Sequence, residues 1–170
     1  INAYSPDLVT MKLKEDYFKI SDFDIVNKLM GKFDVLLIGN GIGLNPSTKK
    51  FCKKTISNIK KFKVIDADAI KSISMNDCEN SIITPHSKEL EYLLLNSNIN
   101  KSIIRQINNE PNIIKKSKII KNITQASLNK NNIILLKGRI DIIISKGKIY
   151  YNKTGNAGMT KGGTGDVLAG

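Results

Sequence analysis

The chain has 170 residues, 41% of them apolar and 25% charged, which is room for one domain with a core of its own. Its formal net charge of +12 comes almost wholly from lysine, Arg105 and Arg139 being the only arginines. The lysines are scattered and no aromatics interleave with them, which favours a solvated basic surface over a nucleic-acid interface.

No apolar run nears the roughly 18–20 residues of a membrane span, so no membrane partner is expected. Cys52, Cys78 and the single His86 lack metal-ligand spacing, so two reduced thiols in a cytoplasmic protein are expected. The sequence starts Ile1-Asn2-Ala3 without an initiator Met and stops in the first turn of an expected helix. It reads as an internal piece of a longer protein, with residues 1–170 forming a single domain incomplete at both ends.

In chain order, the first strong strand is Val35–Ile38, a solid apolar run ending in Gly39-Asn40-Gly41-Ile42-Gly43. A helical pattern over residues 51–62 follows, entered through Asn45-Pro46-Ser47. Residues 64–68 read as the next strand, with Asp66 and Asp68 sharing one face at its end. Residues 81–84 form a third strand, broken by Pro85, and residues 87–95 a helix with Leu90, Leu93 and Leu94 on one face.

The stretch 96–112 is the most polar and reads as including loop. Residues 113–128 carry helical periodicity, and residues 133–138 are the fourth strand. Residues 141–145 and 148–151 pair as a hairpin around Lys146-Gly147. Strand and helix alternate between residues 33 and 138, so the fold class is α/β with a mainly parallel sheet. The solidly apolar strands fit burial on both faces.

In such sheets ligands bind outside the carboxyl ends of the strands. Four unusual segments fall there: residues 39–43, 66–68, 84–89 and 137–138. The glycines of 39–43 serve a ligand's approach to the backbone or simply a tight turn; the pattern is not the full dinucleotide fingerprint, because position 44 is Leu. Asp66 and Asp68 suit Mg²⁺ at a strand end, but a helix cap or loop anchor is the better reading of Asp68. His86 follows Pro85 at the sheet edge, and Glu89 three residues later fits a capping box. Lys137 at a strand terminus suits a nucleotide phosphate or a snorkelling side chain equally.

The most specific segment is Gly162-Gly163-Thr164-Gly165-Asp166 and the apolar run after it. Glycines opening a helix leave free amides and the positive end of the helix dipole for an anion. A carboxylate placed there suits a base acting while phosphate is transferred.

In order, these segments resemble the NAD(P)H-hydrate dehydratase family of the ribokinase-like fold. The matching pieces are Ser5-Pro6-Asp7-Leu8 and residues 38–43, 64–69, 83–89, 136–138 and 155–170. The resemblance implies a three-layer ribokinase-like fold with a mainly parallel sheet flanked by helices, incomplete at both ends. It also implies a homo-oligomer. The activity it implies is nucleotide-dependent dehydration of (6S)-NADHX or NADPHX to NADH or NADPH, with ADP or ATP as phosphoryl donor and Mg²⁺ as cofactor.

By position, the resemblance makes Asp166 the catalytic base and Gly163, Thr164 and Gly165 the anion hole. Gly43, His86 and Asp166 would contact the hydrated nucleotide. Lys137, Gly138, Arg139, Ile140, Asp141 and Gly165 would hold the adenine nucleotide. Glu89 would join Mg²⁺ through water. The sequence departs from the family where Pro is common at Asn40 and where Pro or Ala-rich residues stand for Ser87-Lys88. The competing readings are a ribokinase-like kinase of a hydroxyethylthiazole or hydroxymethylpyrimidine, and a non-enzymatic binding module.

Overall fold

The structure is a computed structural model and describes residues 10–155 and 164–170. Its frame is one six-stranded sheet in the order β1 (Val35–Ile38), β2 (Phe62–Ile65), β3 (Ser81–Ile83), β4 (Ile133–Leu136), β5 (Asp141–Ile144) and β6 (Ile149–Asn152). The first three pairings are parallel and the last two antiparallel. The parallel alternation and the hairpin are both as the sequence pattern predicts.

The helices are α1 (Phe23–Leu29), α2 (Pro46–Asn58), α3 (Ala67–Ile70), α4 (Ser87–Asn96), α5 (Lys101–Asn109), α6 (Ile113–Leu128) and α7 (Thr164–Ala169). Strands β1 to β4 lie side by side in chain order, so every crossover steps in the same direction. Right-handed connections stepping one way place their helices on one face of the sheet. Ile38, Ile65, Ile83, Ile134, Ile142 and Ile144 point into that layer and form the core with Phe51, Leu93, Leu94, Ile107 and Ile120. The opposite face carries Val35, Leu37, Phe62, Ile82 and Tyr150, which are exposed among the described residues. Burial on both faces, expected from the apolar runs, is therefore met on one face by the described elements.

Local chemistry shifts two boundaries. Helix α2 starts at Pro46, because Asn45 Oδ1 accepts from Ser47 N at 2.9 Å and Pro46 suits the first helical position. It ends at Asn58, four residues before the expected end at 62, as Ile59 turns extended. The buried Lys63 fixes that exit, its Nζ donating to Ile59 O at 2.7 Å and Lys61 O at 3.1 Å.

The polar stretch expected to include loop does so at residues 97–100 and 110–112, and carries α5 between them. Asn100 caps it, with Oδ1 accepting from Ser102 N at 2.8 Å, and Ile104 and Ile107 reach the core. Two buried isoleucines one turn apart seat a helix whose remaining positions are polar. No described helix is long and apolar enough to cross a membrane.

Candidate active site at the carboxyl ends of the strands

Asp66 stands at the end of β2 and enters α3 as its N-cap. It is 2% exposed, and three segments converge on its carboxylate. Thr84, just past β3, donates its hydroxyl to Oδ1 at 2.7 Å, and Lys137, just past β4, donates Nζ to the same oxygen at 2.7 Å. Asn40, in the glycine loop after β1, donates Nδ2 to Oδ2 at 3.1 Å. Burial pushes this carboxyl up, but the hydrogen bonds from Lys137 and Thr84 outweigh it and hold the group below its ordinary range.

The backbone is as constrained as the side chain. Gly39 has φ +128°, and a Cβ there would lie 1.8 Å from the Asp66 carbonyl oxygen. Ala67, next to Asp66, sits at φ 49°, a left-handed conformation that L-residues rarely hold.

The same Asn40 amide also donates to Asp166 Oδ1. Asp166 lies in the first turn of α7 with its carboxylate exposed. Gly165 before it packs close to the ion pair: a Cβ there would come within 3.8 Å of Asp66 Oδ2 and 3.9 Å of Lys137 Nζ.

The His86–Glu89 turn is a capping box at the start of α4. Glu89 Oε2 accepts from His86 N at 2.9 Å, and His86 Nδ1 accepts from Lys88 N at 3.1 Å. That bond leaves the ring proton on Nε2, which lies 3.3 Å from Glu89 Oε1. Lys137 joins the turn to the site, bridging to His86 by a parallel β-bridge and standing 3.8 Å from Glu89 Oε2. The result is a polar ridge with a buried ion pair beneath it and an exposed carboxylate at its rim. It can hold an anion beside Lys137 and accept a proton at Asp166.

The whole sequence, residues 1–170, matches the family described as NAD(P)H-hydrate dehydratase. The chain belongs to the NAD(P)H-hydrate dehydratase family.

Among curated dehydratase relatives, it is 37% identical over 168 residues to the bifunctional NAD(P)H-hydrate repair enzyme Nnr of Methanocaldococcus jannaschii, covering 97% of this chain and 29% of that protein. It is 31% identical over 170 residues to the Nnr of Archaeoglobus fulgidus, covering 100% of this chain and 31% of that protein. The chain thus spans under a third of the length of these relatives.

Among solved structures, a ribokinase-like superfamily protein of Enterococcus faecalis matches with a TM-score of 0.65 at 27% identity, over 88% of this chain and 49% of that one. The ADP/ATP-dependent NAD(P)H-hydrate dehydratase of Bacillus subtilis shares the fold, with a TM-score of 0.57 at 23% identity over 80% of this chain and 46% of that one.

Of the positions that the dehydratase resemblance marks, Lys137, His86, Glu89, Gly165 and Asp166 gather around Asp66. Asp141 serves the turn after β4: its Oδ1 accepts from Gly138 N at 3.0 Å and its Oδ2 from Asn152 Nδ2 at 3.2 Å. Gly138 and Arg139 are exposed and Ile140 half-buried on that turn, and Gly43 is half-buried at φ +80° on the glycine loop. Gly163 and the Ser5–Leu8 segment lie outside the described residues.

Asp66 and Asp68 do not share a strand face, because the chain enters α3 between them. Asp68 is no cap either; it pairs with Lys71 at 2.8 Å within that helix. Sequence reasoning missed Asn40 and Thr84 as site residues and undervalued Asp66. The one sequence signal was their shared position just after strand ends.

Proposed function

We propose that the protein carrying these residues is an ADP- or ATP-dependent NAD(P)H-hydrate dehydratase, acting in the cytoplasm as a homo-oligomer. One observation carries this reading. In a chain matching the dehydratase family from end to end, the Asp166 carboxylate is tied through Asn40 to the buried Asp66–Lys137 pair.

In the first step the hydroxyl oxygen of (6S)-NADHX or NADPHX attacks the terminal phosphorus of the nucleotide. A new O–P bond forms as the bridging P–O bond breaks, giving AMP from ADP or ADP from ATP. Asp166 accepts the hydroxyl proton, which an alcohol must lose to be a competent nucleophile. The anion-hole role that the resemblance gives to Gly163, Thr164 and Gly165 would be to stabilise the charge that builds on the transferring oxygens. In the second step the C–O bond breaks with its electrons leaving on phosphate. The ring nitrogen supports the developing positive charge, and loss of a proton from the neighbouring ring carbon restores the dihydronicotinamide.

Lys137, with the turn through Gly138, Arg139, Ile140 and Asp141, holds the adenine nucleotide, and Gly43 and His86 the hydrated nucleotide. Mg²⁺, when bound, neutralises phosphate charge. Among the described residues no group of three or more His, Cys, Asp or Glu forms a metal cage. Glu89 fits the ion at one remove, through water, since both its oxygens already face His86.

The test is to incubate the intact protein with (6S)-NADHX, Mg²⁺ and ADP or ATP, and to follow the return of NADH absorbance. Recovery with either nucleotide is expected. No recovery with both, together with phosphorylation of a thiazole or pyrimidine alcohol, would replace this reading with the kinase.

A further inference from the structure

We propose that Asn40 is a positioning residue for the base: its side-chain amide holds the Asp166 carboxylate in register with Asp66 and Lys137. The proposal rests on reading Asp166 as the base of the dehydratase.

The amide nitrogen has two hydrogens, and both are used. One goes to Asp66 Oδ2 at 3.1 Å and the other to Asp166 Oδ1. Bonds from a neutral donor to ionised carboxylates are among the stronger hydrogen bonds. The amide also separates two carboxylates that would otherwise repel each other.

The two ends of this bridge differ in burial and anchoring. Asp66 is buried and anchored by Lys137 and Thr84 at 2.7 Å each. Asp166 is exposed, on a helix of six residues. Asn40 therefore transmits the fixed position of Asp66 to Asp166, 126 residues away in the chain.

Asn40 is itself fixed. Gly39 before it is packed against the Asp66 carbonyl, and Gly41 after it holds φ +64°. Its Oδ1 is buried and has no hydrogen-bond partner among the described residues. A flipped amide would aim that oxygen at two carboxylates, so charge alone sets the donor end toward the acids. What the side chain contributes to the site is its N–H pair.

The test uses the intact protein. Asn40→Ala should lower kcat about 10- to 100-fold while KM for nucleotide and hydrate stays within about threefold, as for a misplaced base with intact binding. Asn40→Asp keeps the shape but turns the donor into an acceptor. Its new carboxyl faces Asp66 and Asp166, with Lys137 across Asp66 and Glu89 and His86 beyond Lys137. Near neutral pH it should be slower than Asn40→Ala. As the pH falls toward about 5.5, the introduced carboxyl protonates and can donate again. The ratio of the two variants' kcat should then rise about tenfold in favour of Asn40→Asp.

A wild-type kcat in Asn40→Ala, or a ratio flat with pH, overturns the proposal. A second arm needs no turnover. The thermal shifts of Asn40→Ala and Asp166→Ala should fail to add in the double variant by about 2 °C. Strict additivity would also overturn the proposal. A wild type without dehydratase activity sinks the functional reading alone, and the additivity arm still decides the Asn40–Asp166 link.

Discussion

Lys137 Nζ donates to Asp66 Oδ1 at 2.7 Å, joining the ends of β4 and β2 under the site, with Asp66 only 2% exposed. A carboxylate so placed depends on its partner, because removing one member strands the other's charge. Lys137→Met should therefore destabilise the fold by about 2–4 kcal/mol in urea unfolding near neutral pH, and Lys137→Arg by much less.

The same pair sets a pH dependence. The Asp66 carboxyl is held below its ordinary value of 3.8. A lowered folded-state pKa gives stability that is present above the ordinary value and lost as pH falls through the lowered one. The stability advantage of the wild type over Asp66→Asn should be full well above the ordinary value of 3.8 and should shrink as the pH falls below it. Paired unfolding curves across that range check it.

Gly39 and Gly41 make a matched comparison. A Cβ on Gly39 meets Asp66 O at 1.8 Å and Ala69 Cβ at 2.9 Å, whereas one on Gly41 meets nothing within 4 Å. Gly41→Ala bears only the left-handed strain, about 1–2 kcal/mol. Gly39→Ala adds a backbone clash and should lose folded protein altogether or unfold with at least twice that penalty. Equal Tm values for the two variants would contradict this packing.

Cys52 and Cys78 are both fully buried. Burial pushes the Cys52 thiol up to about 11 and the Cys78 thiol up to about 12. Neither should react with a thiol reagent at about pH 8 in the folded protein, and both should react once it unfolds. Peptide mapping after labelling reads each site. With raised folded-state values, the stabilising contribution is full below the ordinary thiol value of 9.0 and is lost as the pH rises through about 11–12.

Asp166→Asn should keep the nucleotide Kd within about threefold and lose about 10²- to 10⁴-fold in kcat, as removal of a proton acceptor predicts. Single-turnover kinetics alongside calorimetric binding separate the two. Unchanged turnover would remove Asp166 from the base role.

Sequence and tertiary structure divide along a physical line. Features written in neighbouring residues were legible in the sequence. The apolar runs became the strands, the β5–β6 hairpin stands where the pattern put it, and helix α6 stands where periodicity put it, over Ile113–Leu128. The Glu89 capping box needs only three residues of spacing and was readable for that reason. Helix α5 was not, since two buried isoleucines give a polar segment a core face only when a core exists to receive them.

The site itself was legible as a set of strand ends and not as a constellation. Asp66 looks like one of two acids until Lys137, 71 residues on, donates to it. Asn40 looks like a turn residue until a helix 126 residues later brings Asp166 to its amide. Spacing along the chain carries periodicity and caps, whereas partners of a buried charge are chosen by which strand ends the sheet order places side by side.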